Sequence, residues 1–196
     1  MITPRSKKER KHALAGNGPI VDRARDALRR VAPQFGNVIE ATQTSVTVRT
    51  GDGIELSLSY DPGNFVFSRV YNLTISTALP AGSGAPSGVR ISHKDRAGSR
   101  YIKEGAGAET AAVDRLNLAA RPHLGGIDVL SSAISARNGE RIFTVTPLGG
   151  SYVWVLIPPV FKATALPPGE PDRILALIRA VRGLEAATAK NERQTA

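Results

Sequence analysis

The stretch Ser45–Tyr60, SVTVRTGDGIELSLSY, contains the clearest folding signal in the chain. Val46 and Val48 alternate with polar residues, and the apolar residues of 54–60 alternate in the same way. Successive side chains of a β-strand point to opposite faces, so a period of two predicts strands with one buried face. Thr50-Gly51-Asp52-Gly53, between the two runs, has the composition of a turn. The stretch therefore predicts an antiparallel β-hairpin.

Further strand signals lie on both sides of this hairpin. A short strand is predicted at residues 38–42, and Asp61-Pro62-Gly63-Asn64 has the composition of a second turn. After that turn, one face of the next strand collects the apolar residues Phe65, Phe67, Tyr71, Leu73 and Ile75. The N-terminal half therefore predicts an antiparallel meander of three or four strands.

A second group of strands is predicted in the C-terminal half. A short strand begins at Val89, and residues 93–107 suit either a strand pair around Ala97-Gly98 or a basic loop. Three more strands are predicted at residues 127–136, 141–147 and 151–157. The last of these is apolar on both faces, which predicts a central strand covered on both sides.

Three helices are predicted from apolar residues at helical spacing. The first follows Pro19, because proline is favoured in the first turn of a helix. The second covers about residues 108–120 and ends at Pro122, and the third begins at Pro171. The third helix is expected to cover the strand at 151–157.

These elements predict an α+β fold, in which two to three helices pack on a mainly antiparallel sheet. Val-Asp-Arg occurs at 21–23 and again at 113–115, each time near the start of a helix. A duplicated α-plus-sheet unit is therefore a further hypothesis.

The length of 196 residues predicts one domain, since about 100–200 residues per domain is typical. We assign residues 17–188 to a single α+β domain and residues 1–16 to a disordered basic tail, with residues 189–196 as a frayed C-terminus. Residues 78–88, ALPAGSGAPSG, have the composition of a flexible loop.

The composition excludes several classes of chemistry and location. Without cysteine the chain has no disulfide, thiolate nucleophile or cysteine zinc site. The charged start is followed by no apolar run, which argues against a secretory signal. The longest apolar stretch, Tyr152–Ile157, is far shorter than the roughly 20 residues of a membrane span. A cytoplasmic protein without a membrane span is the expectation.

The net charge of +9 is concentrated at the ends of the chain. Residues 1–12 carry +4 and residues 190–196 carry +1, which leaves +4 for the middle. The basic arm consists of Arg5, Lys7, Lys8, Arg10 and Lys11. Such an arm suits salt-sensitive, non-specific attraction to a polyanion, although a solvated tail has the same composition.

Residues with catalytic or metal-binding chemistry form no recognisable motif. The histidines, His12, His93 and His123, are too far apart for a metal-binding pattern and are interpreted as solvated loop residues. No nucleophile elbow and no phosphate-binding loop is present. The carboxylates in or beside strands, which could pair for acid–base chemistry, are Glu40, Glu55, Asp61, Asp128 and Glu140. We therefore expect no cofactor, no metal site and no catalytic residue.

Arg69 is the anomaly of the strand pattern, because it lies between Phe67 and Tyr71 on the face assigned to the core. A β-bulge would turn it outward, and otherwise it is a partly buried cation that needs a carboxylate or an anionic ligand. One hypothesis is an anion or ligand site that combines it with Arg90, Lys94, Arg96, Arg100 and Lys103. Asp95 and Glu104 partly offset that charge.

The last ninety residues carry a run of structural motifs. They are Val113-Asp114-Arg115-Leu116-Asn117, Ile127-Asp128, Pro147-Leu148-Gly149-Gly150, Pro158-Pro159 and Leu166-Pro167-Pro168-Gly169. This part of the chain resembles a family of uncharacterised bacterial proteins, filed as a domain of unknown function. The resemblance implies no activity and no site residue.

Three hypotheses for the function remain open. The first is a non-enzymatic domain that binds a protein or a small ligand, because no catalytic motif accompanies the predicted core. The second is an accessory protein for nucleic acid or another polyanion, which uses the basic arm and the 90–103 loop. The third is an enzyme of unrecognised mechanism, which would show a pocket with perturbed carboxylates or His123. The partner is unknown, and a homodimer through exposed sheet edges is one hypothesis.

Overall fold

The computed structural model describes residues 12–64, 68–94, 98–105, 107–155 and 160–185. Among these residues it contains three α-helices, which are α1 (Pro19–Val31), α2 (Thr110–Leu124) and α3 (Glu170–Arg182). It also contains ten strands, which are β1 (Asn37–Ala41), β2 (Ser45–Arg49), β3 (Glu55–Asn64), β4 (Ser68–Ala78), β5 (Val89–Ser92), β6 (Arg100–Lys103), β7 (Val129–Arg137), β8 (Glu140–Pro147), β9 (Tyr152–Val155) and β10 (Val160–Ala163). The predicted α+β fold with a mainly antiparallel sheet is confirmed.

All ten strands belong to one sheet, in which the described strand pairs are antiparallel. The main path runs in the order β1-β2-β3-β4-β8-β7-β5-β6. Strand β4 has two partners on its far side, since Ile75–Ala78 pairs with β8 and Ser68–Tyr71 pairs with β9. The sheet therefore divides at β4, and β9 and β10 form a separate branch.

The hairpin of β2 and β3 follows the predicted alternation. Val46 lies opposite Leu58 and Val48 lies opposite Leu56, and all four side chains are buried. The buried face continues across β4 at Leu73 and Ile75. The neighbouring positions Ser57, Ser59, Thr74 and Ser76 point to the opposite face, where polar side chains remain partly exposed.

Helix α1 packs on the buried face of the sheet. Its apolar stripe of Ala24, Ala27, Leu28 and Val31 is buried, and it contacts β2, β3 and β9. Helix α3 buries Ile174, Leu175, Leu177, Ile178 and Val181, and its most extensive helix or strand contact is with α2. The last helix was expected to cover the strand at 151–157, but its main contact is with α2, and α1 packs on β9.

Strand β9, the described part of the strand predicted at 151–157, is not fully covered on both faces. In β9 only Tyr152 is buried, whereas Val153, Trp154 and Val155 are partly exposed. Strand β9 lies between β4 and β10, and α1 packs on one of its faces. Its second apolar face borders an open cleft, described below.

Strand β3 continues through the turn predicted at Asp61–Asn64. Its pairing with β4 is regular from Ser57 opposite Ser76 to Asn64 opposite Arg69. Strand β2 reaches only as far as Ser59, so β3 is an edge strand at Pro62. A proline is tolerated there because its missing N–H faces no neighbouring strand. The turn prediction is therefore wrong for these four residues.

The loop between β4 and β5 is anchored to the sheet, although its composition predicts flexibility. The Arg141 guanidinium of β8 donates hydrogen bonds of 2.7–3.3 Å to four carbonyl oxygens, those of Pro80, Ala81, Ser83 and Ala85. Ala85 is fully buried. The glycine, proline and serine residues therefore allow the loop to turn tightly, and the Arg141 side chain holds the loop in place.

The packed structure begins before Asn17, the predicted start of the domain. Residues Ala13–Ala15 form a turn of 3-10 helix, in which Leu14 is fully buried. Arg25 of α1 donates to the Leu14 carbonyl at 2.6 Å and to the Gly16 carbonyl at 2.8 Å. The basic arm (Arg5, Lys7, Lys8, Arg10 and Lys11) and residues 189–196 lie outside the described residues.

Two other expectations differ in detail. Helix α2 continues past Pro122 to Leu124. Of residues 93–107, Arg100–Lys103 form β6, which pairs with β5 (Val89–Ser92) that precedes this range. Strands β1 to β4 pair in chain order, whereas β8 pairs with β4 and β7 and not with β9. The two halves thus differ in topology, and the duplicated unit remains a hypothesis.

Candidate functional site

A cleft of about 340 Å³ opens where β4 passes from its pairing with β8 to its pairing with β9. Its apolar wall is formed by Val70, Leu148, Val153, Ala165 and Pro167. Its polar lining consists of Asn72, Asp128, Ser151, Thr164 and Glu170. The division of the sheet thus produces an open site in the middle of a region of paired strands.

The turn Gly149-Gly150 between β8 and β9 forms one side of the cleft. The Tyr60 hydroxyl donates to the Gly150 carbonyl at 2.9 Å, and Tyr60 is buried. Gly150 has a φ of 73°, and a Cβ there would lie 2.6 Å from Leu73 Cδ2. A Cβ at Gly149 would lie 3.1 Å from Glu170 Oε2. The two glycines therefore allow the turn to pass directly beside Glu170.

Glu170 is the first residue of α3, and only 2% of it is exposed. The Asp128 backbone N–H donates a long hydrogen bond of 3.4 Å to its Oε1. Among the described residues, Oε2 is buried and has no hydrogen-bond partner. Burial raises the pKa of the Glu170 carboxyl, and the Asp128 charge raises it further, against the lowering effects of the Asp128 N–H and of Arg173. The cleft therefore contains a carboxyl group that is poorly solvated.

A second cleft of about 330 Å³ adjoins the first and shares Asp128 and Leu148 with it. There the His93 imidazole Nδ1 lies 2.7 Å from Ser99 Oγ. His93 and Asp128 are exposed, in agreement with a solvated environment. His12 accepts a bond from the Leu14 N–H at 3.2 Å, and His123 lies in the last turn of α2. In the described part of the chain, no three His, Asp or Glu side chains are placed to hold a metal ion.

The cations proposed for an anion site do not all lie together. In the β5–β6 hairpin Arg90 is opposite Ile102 and Arg100 is opposite Ser92, so both arginines are exposed on one face. Lys103 is opposite Val89 on the other face, and its Nζ donates to Thr110 Oγ1 at 2.7 Å. Lys94 is exposed after β5, and Arg96 lies outside the described residues.

Arg69 is separated from these cations by two strands. Its backbone pairs with Asn64 of β3 and with Trp154 of β9, and its side chain lies outside the described part of the structure. The register around it is regular, so the β-bulge interpretation is wrong. Strands β8 and β7 lie between β4 and β5, and three strand spacings amount to about 14 Å. The strand of Arg69 is therefore separated from β5 by two strands, and the grouping of Arg69 with the 90–103 cations stays a prediction.

Glu170 of the cleft is not marked as a site residue by the sequence. It precedes Pro171 at the start of the third helix, where acidic residues are common. Asp128 was among the possible paired carboxylates, but its proximity to Glu170 depends on a contact across 42 residues. The only local signal is the Pro-Pro-Gly sequence at 167–169, which directs the chain into α3.

None of the helices in the described residues is both long and apolar enough to cross a membrane. No curated protein and no solved structure matches the chain. A family described as "Protein of unknown function (DUF3156)" matches residues 33–184. The match includes all ten strands, α2, α3 and every residue of the cleft, so it reaches well beyond the C-terminal region where the resemblance was first noted. The chain belongs to the DUF3156 family.

Proposed function

We propose that the protein is a domain that binds a small ligand in the cleft beside Glu170. The observation that supports this proposal is the Glu170 Oε2 atom, which is buried at the cleft without a hydrogen-bond partner in the described structure. Leaving a buried polar group unpaired costs about 1–3 kcal/mol. A ligand that bonds to this oxygen would remove that cost on binding.

The size and lining of the cleft are those of a small-molecule site. Its volume of about 340 Å³ lies at the lower end of the range of roughly 300–1,000 Å³ that ligand pockets cover. Most of the exposed surface of the lining is apolar, and five polar side chains share it. An aliphatic lining contributes affinity through burial of apolar surface, while the polar groups orient the ligand.

The proposal is tested with fragments that combine one small ring with one amine, alcohol or carboxylic acid group. Binding is followed by the amide signals of the full chain in two-dimensional NMR. We expect the signals of Gly149, Ser151 and Glu170 to shift as a fragment is added. Substitution of Ala165→Phe, at an exposed position of the cleft wall, should block these shifts by filling the space.

Ala163→Phe is the matched control, because Ala163 is also exposed but lies outside this cleft. It should leave the fragment shifts unchanged. If no fragment shifts the cleft signals, or if A165F and A163F bind fragments equally, the cleft is not the binding site.

An enzymatic function is a second candidate, because Glu170 combines a raised pKa with a neighbouring carboxylate, Asp128. Carboxyl groups with raised pKa values are suited to general acid–base catalysis. A fragment that binds in the cleft would then be converted on prolonged incubation, and Glu170→Gln would bind it without converting it. Unchanged fragment in both samples would contradict the enzymatic candidate.

A further inference from the structure

We propose that the ligand of the Glu170 cleft is an organic ammonium ion with an apolar body. This inference rests on the proposed function and adds the chemical class of the ligand. It is carried by the hydrogen bonds that the two cleft hydroxyls already make, by the charge of the lining groups, and by the apolar side chains that share the lining.

The hydroxyl groups of the cleft have already used their protons. Thr164 Oγ1 donates to the Ser151 carbonyl at 3.0 Å, and Ser151 Oγ donates to the Leu148 carbonyl at 3.4 Å. A hydroxyl that donates its single proton to a carbonyl can offer only lone pairs to another molecule. Both groups therefore favour a ligand that donates hydrogen bonds.

The charges at the cleft also favour a cationic ligand. Among the described residues, Asp128 and Glu170 are the two ionisable groups that line the cleft, and both are acids. Arg173, the nearby cation on α3, directs its Nη1 to the Gly126 carbonyl at 3.1 Å and does not line the cleft. An anion bound here would face two carboxyl groups, and the N-terminal end of α3 is already occupied by Glu170 itself.

The aliphatic wall distinguishes an organic cation from a metal ion. Val70, Val153 and Pro167 line the cleft together with the polar groups and offer no ligands to a metal. The cleft has room for about ten molecules the size of water at roughly 30 Å³ each, far more than a single ion needs. A ligand with an ammonium group at Glu170 and a hydrocarbon body against this wall would contact both the carboxyl group and the aliphatic side chains.

Binding of an ammonium ion would also change the protonation of the cleft. The ligand charge favours the ionised form of Glu170, whereas burial and Asp128 favour the protonated form in the free protein and Arg173 opposes them. At a pH at which Glu170 still holds its proton in the free protein, we therefore expect the bound ligand to release that proton. Calorimetric titrations in two buffers that differ in their heat of ionisation measure this release.

The experiment uses three probes with the same six-membered ring: cyclohexylmethylammonium, cyclohexylmethanol and cyclohexanecarboxylate. Each is titrated into the full chain by NMR and calorimetry. We expect the ammonium probe to bind at the cleft signals at least about tenfold more tightly than the alcohol, since its hydrogen bonds to a carboxylate are charge-assisted. The carboxylate should bind more weakly than the alcohol.

Glu170→Gln should remove most of the preference for the ammonium probe and the proton release, while the affinity for the alcohol changes little. Glu140→Gln is the matched control, because Glu140 is exposed and lies outside the cleft. E140Q should behave like the unmodified protein in all three titrations.

The outcomes separate this inference from the proposed function. If the alcohol or the carboxylate binds in the cleft as tightly as the ammonium probe, the ligand class is wrong although the cleft still binds ligands. If E170Q keeps the full ammonium preference, the assignment to Glu170 is overturned. If none of the three probes and none of the broader fragments shifts the cleft signals, both the ligand class and the binding function are overturned.

Discussion

Glu170 shows how a single residue can carry two effects of opposite sign. At the first position of α3 its carboxylate is favoured by the helix dipole, yet its burial at the cleft raises its pKa. A carboxyl whose pKa is raised in the folded protein holds its proton more tightly there than in the unfolded chain. The energetic consequence is a dependence of stability on pH.

The contribution of Glu170 to stability should fall as the pH rises. Its proton is lost from the unfolded chain near pH 4.5 and from the folded protein at higher pH, so unfolding releases a proton between these values. The free energy of unfolding of the unmodified protein should therefore decrease across this window and then level off. E170Q should lack this decrease, so the difference between the two proteins should grow with pH.

Urea denaturation at a series of pH values measures this difference. E140Q is the control and should retain the decrease of the unmodified protein, because Glu140 is exposed. An unchanged pH dependence in E170Q would show that Glu170 is not the group responsible.

Gly150 is a second residue whose identity matters for the site. An alanine would adopt the left-handed φ of 73° only with strain, and its Cβ would lie 2.6 Å from the buried Leu73 side chain. We expect Gly150→Ala to lower the free energy of unfolding by about 2 kcal/mol or more. Gly82→Ala should have a much smaller effect, because nothing lies within 4 Å of its added Cβ and its φ is not positive. Equal effects of the two substitutions in urea denaturation would contradict this prediction.

At the scale of elements, the loop between β4 and β5 depends on one arginine of a neighbouring strand. Arg141 binds four carbonyl oxygens of the loop, and the Gly84 N–H donates to the Leu184 carbonyl at 2.6 Å. The loop thereby connects β8 to the residues that follow α3. A planar guanidinium can reach several acceptors at once, which a lysine ammonium on a single stem does less well.

Arg141→Lys should loosen this loop while the charge is preserved. Because each lost hydrogen bond contributes about 0.5–1.5 kcal/mol, we expect a destabilisation of about 2 kcal/mol. Hydrogen exchange at the amides of Gly84 and Ala85 should become faster. Arg137→Lys, at an exposed position of β7, is the control and should change neither quantity. If the hydrogen-exchange rates of these amides were unchanged in R141K, the loop backbone would keep its conformation without the arginine.

At the scale of the whole molecule, one sheet packs against α1 and α2, α3 packs on α2, and the candidate site lies where that sheet divides. The net charge of +9 is not located mainly on the sheet and helices, because much of it belongs to the ends of the chain. In the described residues, Arg90 and Arg100 share an exposed face while Lys103 lies on the other. A polyanion that contacted one face of this hairpin would therefore meet only part of the proposed set of cations.

The extent of the packed molecule can be tested at Leu14, which composition assigns to the tail. Its side chain is fully buried, so Leu14→Ala should lower the free energy of unfolding by about 2–5 kcal/mol. Leu118→Ala is the control, because Leu118 is 77% exposed on α2. Thermal and urea denaturation of the two variants measure the difference. If L14A had the same free energy of unfolding as the unmodified protein, the folded core would begin at Asn17, as the sequence predicts.

The amino-acid sequence by itself determined the β2–β3 hairpin, the three helices and the alternation that separates the buried face from the polar face. These features follow from the spacing of apolar residues and from turn residues within a few positions of one another. The predictions failed where distant partners decide the outcome. Pro62 could remain in a strand because β2 ends before it, and the loop at 78–88 is held by an arginine some sixty residues away.

The site was decided only by the tertiary structure. The cleft exists because β4 pairs with β8 along one part and with β9 along another, and the turn beside it is held by Tyr60 from ninety residues earlier. Glu170 reads in the sequence as an ordinary residue at the start of a helix. Burial and the loss of hydrogen-bond partners are properties of the packed chain, so the character of this carboxyl emerges only when α3, the Gly149-Gly150 turn and Asp128 come together.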